Sequence, residues 1–364
     1  MDAKKSSRRF FPTPVHSKDG VLNMRNHFLF IIGLLCVANS TFYAQGGVTK
    51  VGTTAANFLA IDVGPRASAM GSAYVSIAND VTAMYWNPAG IARMENFEAT
   101  FSNTRWIADV SFNYAGAAVP IGDFGTIGVN ATFVSMDEIE RTTIASPDGT
   151  GELVDAGSYA FGLSYARNLT NQFSIGFNAK FINERIYHSN ANGFALDVGA
   201  LFDTQFNGLK LGMSISNYGT KMQLEGQDVQ VQHDPYPGVS GNNGNINAGL
   251  STDRFDLPLL FRVGVSMDVL KGLADSKLLL SVDALHPSDD VESINVGGEY
   301  VFDDMISLRG GYKGQFAKDS EQGLNVGGGI RYDIGGGTIF HFDYSYTDFG
   351  LFNAVHTFSV SLGL

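Results

Sequence analysis

Charged side chains are sparse: Asp, Glu, Lys and Arg make up 16% of the 364 residues, where a soluble domain carries about a quarter. Such a chain either hides a large core or shows an apolar face to lipid. Cysteine occurs once, as Cys36, within an N-terminal stretch that has the features of a removable leader. A mature chain without it has no disulfide, no thiolate metal site and no cysteine nucleophile. Beyond that leader no apolar run reaches the ~18 residues of a spanning helix. Basic clusters are also missing. The formal charge is -12, so nucleic-acid phosphates would be repelled and no nucleic-acid partner is expected. Nor is there a Gly-x-Ser-x-Gly elbow, a His-Glu-x-x-His zinc pair or a phosphate-binding loop. No enzyme, metal or cofactor is therefore expected, and no spacing around Asp148, Asp155 or Asp234 matches a dedicated calcium loop.

Present instead are 43 glycines, 27 phenylalanines and a mean hydropathy of +0.01. Residues 1–44 read as a leader. Arg25, Asn26 and His27 precede an apolar run from Phe28 to Val37, and Phe42-Tyr43-Ala44 before Gln45 is a cleavage signal. The signal peptide thus spans about 24–44, with the residues upstream an over-extended start. A lipoprotein signal would want a small residue before Cys36, and Leu35 is not small. Cleavage after Ala44 leaves 18 basic and 34 acidic residues, a formal charge of -16.

From 97 to 364 the apolar period is two. Phe173, Ile175, Phe177, Ala179 and Phe181 point one way, and Ser174, Gly176, Asn178 and Lys180 the other. Leu324, Val326, Gly328 and Ile330 repeat the scheme against Asn325, Gly327, Gly329 and Arg331. Short turns such as Thr170-Asn171, Asn207-Gly208 and Asp303-Asp304 alternate with longer polar connections at 137–155 and 220–256. Counting between turns gives about 14 strands, and an even number with short and long connections alternating is the pattern of an outer-membrane barrel. An antiparallel sandwich would also alternate, but the strand lengths, loop asymmetry and leader together favour the membrane. The fold expected is all-β, a 14-stranded antiparallel transmembrane β-barrel over 97–364 in the bacterial outer membrane, with lipid against its outer face.

Residues 45–96 fit neither neighbour. Small residues at 67–73 allow close packing, and Asn79-Asp80 and Asn87-Pro88 look like helix starts. With both barrel ends on the periplasmic side, this segment is expected to be a small, partly helical plug in the lumen. Within it, Arg66, Met70, Gly71, Asp80, Trp86, Asn87, Pro88 and Gly90 are singled out. Trp86 packs inside the plug and Asn87 caps the next turn, or the two line a ligand path. Lys180, Asp197, Arg262, Asp268, Asp283, Glu299, Arg309, Arg331 and Asp343 fall on the face opposite the apolar one. They are expected to line the lumen, as paired charges filling a wide barrel or as a polar track. His188-Ser189-Asn190 holds hydrolase residue types, but adjacency does not make a triad. The 220–256 loop is either a docking surface or a lid.

The run from Gly64 to Tyr74, then Asn79-Asp80 and Tyr85-Trp86-Asn87-Pro88-Ala89-Gly90, resembles the N-terminal signature of PorV/PorQ family proteins, within the FadL superfamily of long-chain fatty-acid transporters. Val48 to Ala56 and Asp348-Phe349-Gly350 through Phe358 are similar to the PorV/PorQ branch. The resemblance implies a 14-stranded barrel with an N-terminal hatch. It further implies a non-enzymatic part in type IX protein export or surface attachment, with secreted cargo or a translocon as partner. The alternative it implies is FadL-like passive transport of a hydrophobic small molecule.

Overall fold

The computed structural model describes residues 50–241, 243–271, 276–315, 323–352 and 354–364. The leader expected over 1–44, with its signal peptide and Cys36, lies outside the described residues.

Alternation dictates the architecture. Along Phe173–Ile186, Phe177 and Ala179 are exposed while Ser174, Gly176, Asn178 and Lys180 are buried. This is the reverse of a soluble sheet and is what lipid outside and a filled lumen inside require. Fourteen such strands, β1–β14, close into an antiparallel barrel. They run Glu98–Arg105, Ser111–Pro120, Thr126–Ser135, Ala156–Asn168, Phe173–Ile186, Ser189–Asp203, Lys210–Gly219, Leu260–Asp268, Lys277–Pro287, Ser293–Phe302, Ile306–Gln315, Leu324–Gly335, Thr338–Asp348 and Ala354–Gly363. Every strand pairs with its sequence neighbours, and β1 closes the ring on β14 with Glu98 opposite Gly363 and Arg105 opposite His356. No sheet edge of the wall is left open to lipid, where an unpaired backbone group would be costly.

The connections after β2, β4, β6, β8, β10 and β12 are short and share an end with both barrel termini, which makes that end periplasmic. The opposite, outer end carries the two long connections, 136–155 and 220–259. The expected alternation of short and long is incomplete there. The β5–β6 connection is a tight hairpin at 187–188, with Tyr187 in the left-handed region at φ 53°. Strand β6 accordingly starts at Ser189, earlier than the turn chemistry alone indicates.

Residues 57–93 form short helical turns rather than strands: Asn57–Ala60, α1 at Pro65–Ala69, α2 at Ala83–Trp86 and Pro88–Arg93. Pro65 and Pro88 each open a turn, where a missing N–H costs nothing. Asn87 caps the last of them, its Oδ1 accepting from the Ala89 amide at 3.2 Å. The Asp80 carboxylate takes the Thr82 amide at 2.9 Å, but α2 begins only at Ala83, so Asp80 shapes the approach to the helix rather than capping it. This segment holds most of the buried apolar core, centred on Met70, Tyr74, Met84, Trp86 and Ile91.

Candidate functional site

The helical segment occupies the lumen and makes its contacts with the inward faces of the wall. Two kinds of wall residue receive it. The first is glycine. A Cβ on Gly297 would lie 2.2 Å from the Met70 carbonyl oxygen, one on Gly212 2.3 Å from that of Val75, and one on Gly176 2.3 Å from the Pro88 carbonyl carbon. Side chains there would push the hatch away, so these glycines are docking positions and not only points of curvature. Gly71 makes the converse fit, at φ 61° and with its own missing Cβ facing the Tyr312 backbone at 2.6 Å.

The second kind is charged. Arg66 reaches Glu299 with two nitrogens, at 2.9 and 2.8 Å. Glu299 also accepts from Arg309 at 2.7 Å, and Arg309 donates to Asp343 at 2.5 Å. On the hatch side Arg66 donates to the Tyr74 hydroxyl at 2.9 Å and to Asp80 at 3.2 Å, while Tyr74 donates to Asp80 at 2.5 Å. One continuous chain of charges thus runs from the hatch through β10 and β11 to β13. Asp283 on β9 accepts both the Tyr74 and Val75 amides, at 2.7 and 2.8 Å. Lys313 pairs with Asp62 at 2.5 Å, and Arg93 with Asp203. Buried charges are retained only when paired and hydrogen-bonded, and nearly all of these are.

Arg262 differs. It is 3% exposed, and no carboxylate among the described residues lies within ion-pair distance. Its guanidinium sits over the Trp86 and Tyr85 rings, 5.1 and 5.5 Å from their centroids, and donates to Ser216 at 3.2 Å. The cation–π contact supplies part of what an ion pair would. Trp86 itself donates to the Val63 carbonyl at 2.9 Å and meets Tyr74 and Tyr85 edge-on. Asn87 bridges hatch and wall, giving its amide to Val75 at 2.8 Å and to Ala200 of β6 at 3.0 Å.

Of the residues singled out from sequence, Arg66, Met70, Gly71, Asp80, Trp86, Asn87, Pro88 and Gly90 all lie in the hatch. Trp86 and Asn87 are enclosed at 1% and 0% exposure. Lys180 pairs with Asp197 at 2.8 Å on the wall. Asp268 and Arg331 sit apart from this network, around a cavity at the periplasmic mouth. Tyr74, Asp62, Arg93 and the wall glycines were not singled out, because nothing local to the sequence distinguishes a glycine facing a hatch from one facing lipid.

That cavity has a volume of about 760 Å³ and lies below the hatch, with Arg66, Asp80, Glu98, Glu299 and Asp343 among its walls. A second void, between Phe58, Leu59, Tyr85 and Tyr114, measures about 10 Å³, room for about one water.

At the outer end, His188 and Ser189 do find an acid, Asp228 from the long loop. Asp228 accepts from Ser189 Oγ at 3.0 Å and from the His188 amide at 2.9 Å. A nucleophile would have to donate to the histidine, so these residues tie the 220–259 loop to the β5–β6 hairpin instead. The other long loop is held similarly. Glu152 accepts from Tyr187 and Arg141, which keeps its carboxyl below the usual range, and Asp155 is lowered by its hydrogen bonds from Arg185.

A model of the family described as type IX secretion system protein PorV matches residues 45–237, more than half of the chain. Among solved structures, the chain is similar to the Pseudomonas putida toluene transporter TodX, at 12% identity and a TM-score of 0.52 over 83% of this chain and 97% of that one. It is similar to a Pseudomonas aeruginosa FadL homologue at 13% identity and 0.51, over 83% and 98%. It also resembles the CymD monoaromatic hydrocarbon channel at 11% identity and 0.51, over 83% and 96%. These likenesses establish the fold. No curated protein matches the chain significantly.

Proposed function

The chain belongs to the PorV family of type IX secretion system proteins and is an outer-membrane β-barrel, and from that premise we propose that it serves protein export or surface attachment as a non-enzymatic component, receiving secreted cargo on its outer loops while its lumen stays closed. The observation that carries this is the hatch. Ion pairs of Arg66 with Glu299, Asp62 with Lys313 and Arg93 with Asp203, backbone bonds to Asp283, and glycine-lined contacts on several strands fasten it to the wall. A segment held at so many points is built to stay, and the accessible surface then lies outside. The loops at 136–155 and 220–259 are the largest elements there, and the second carries a separate ribbon, Gln230–His233 paired with Ile246–Gly249.

Deleting residues 225–252 while leaving the barrel intact tests the docking role. Secreted proteins are expected to stop co-purifying with the barrel. Unchanged co-purification from a correctly folded deletion would overturn it.

Uptake of a hydrophobic compound would need a continuous apolar passage past the hatch. Among the described residues the larger of these two cavities is lined mainly by charged and hydroxyl groups, with Leu279, Val301 and Ile330 scattered among them, and the void beside Tyr85, which Lys180 and Asp197 also border, is too small for a ligand. The charged lumen therefore favours the export reading over the transporter one.

A further inference from the structure

The cavity below the hatch opens at the periplasmic end, away from the outer loops, and its lining holds six basic and six acidic side chains that are unevenly partnered. Deep inside, Arg66 and Arg309 are satisfied by Glu299, Asp80 and Asp343. Lys277 at the rim pairs with Asp304 at 2.6 Å. Asp268 accepts the Leu270 and Leu278 amides, at 3.1 and 3.2 Å, and so is used by the β8–β9 turn. Three rim cations remain, Lys210, Lys271 and Arg331, for whose charged side-chain groups no hydrogen-bond or ion-pair partner is found among the described residues. In a chain of net charge -12, three unpartnered cations thus stand at the entrance to a cavity of ligand-binding size.

Their placement narrows what they can hold. Lys210 opens β7 and Lys271 follows β8, next to each other on the wall: Lys271 Nζ lies 3.2 Å from where a Cβ of Gly208 would be. Arg331 lies toward the periplasmic end of β12, four strands further round. At ~4.8 Å per strand the two groups are separated by roughly 20 Å. A single phosphate or carboxylate cannot touch both. An extended chain advances ~3.3 Å per residue, so about six residues span the distance.

We propose that this vestibule binds an extended acidic peptide segment of a periplasmic partner protein, with its carboxylates on Lys210 and Lys271 at one side and on Arg331 at the other. Deeper in, Asp80 on the hatch and Asp343 on β13 are already paired with Arg66 and Arg309, so the unpartnered cations at the rim are the ones left to hold the segment. The site is independent of the outer loops, so its failure and theirs are separable.

The test is fluorescence anisotropy with labelled hexaglutamate and the purified full-length barrel in detergent, at low and at moderate salt. Wild type is expected to bind in a salt-sensitive way. Lys210→Gln/Lys271→Gln/Arg331→Gln is expected to weaken binding about tenfold, three exposed contacts each contributing a fraction of that factor. Lys221→Gln, on an outer-loop pair, is expected to bind as wild type. Folding of each variant is read from its heat-modifiable migration. Should the triple variant not fold, Lys271→Gln alone, on an exposed turn, is expected to weaken binding about twofold. Equal binding by the variants, no binding by wild type, or displacement by inorganic phosphate as effective as by peptide would overturn the assignment. The last outcome would mark a small-anion site instead.

Discussion

The lumenal network that holds the hatch and the outer loops use the same chemistry, Arg or Lys against Asp or Glu, in opposite surroundings. Arg309 and Glu299 have side chains only 5% and 4% exposed, whereas Arg185 and Asp155 stand at 42% and 34%. In the first setting each charge has lost its water and depends on its partner. In the second, water replaces the partner readily and the pair contributes little. One chain thus carries a fastened end and a compliant end, which suits a closed lumen below and an adaptable docking surface above.

Breaking the buried network should give the largest effect. Glu299→Ala removes the carboxylate shared by Arg66 and Arg309, leaving Arg66 only Asp80 and Arg309 only Asp343 as ion-pair partners, and is expected to destabilise the barrel by about 3 kcal/mol, read as a lower urea midpoint of the folded, heat-modifiable form. Hatch amides should lose exchange protection before those of the wall. Gly297→Val comes next. Its side chain would meet the Met70 carbonyl, and overpacking of this sort costs about 1–3 kcal/mol, read by the same urea midpoint. Smallest is Asp155→Asn, expected to shift that midpoint by under ~1 kcal/mol.

Acidification probes the outer loop. Glu152 has a folded pKa below its ordinary 4.5, held down first by Tyr187 and then by Arg141. A lowered carboxylate stabilises its loop fully above the unfolded value and loses that contribution as pH falls through the folded one. Protection factors of the amides over 139–154, corrected for the intrinsic pH dependence of exchange, should therefore stay constant from neutrality to about pH 4.5 and fall only below it. Loosening as pH increases would contradict the assignment.

Much of the wall was legible because lipid imposes a strict period of two, and Phe177 or Val326 announces its face by its neighbours. Asn87-Pro88 was legible as a turn start because capping is local. The hatch contacts were not. Arg66 meets Glu299 across 233 residues and Tyr74 meets Asp283 across 209, and such pairings leave no spacing in the chain. Asp228 at His188 escaped for the same reason, 40 residues apart. Arg262 read as an ordinary lumenal charge, since stacking on Tyr85 and Trp86 follows only from where the hatch comes to rest.

Whether the protein works with its hatch closed can be measured by locking it. The Ser76 and Ser281 hydroxyls, one on the hatch and one on β9, are 3.5 Å apart, close enough for Ser76→Cys/Ser281→Cys to be bridged. Co-purification of secreted proteins with the oxidised and the reduced barrel is then compared. Equal recovery is predicted, because cargo engages the outer loops. Loss of cargo on oxidation, restored by reduction, would show that the hatch must move and would contradict a closed lumen.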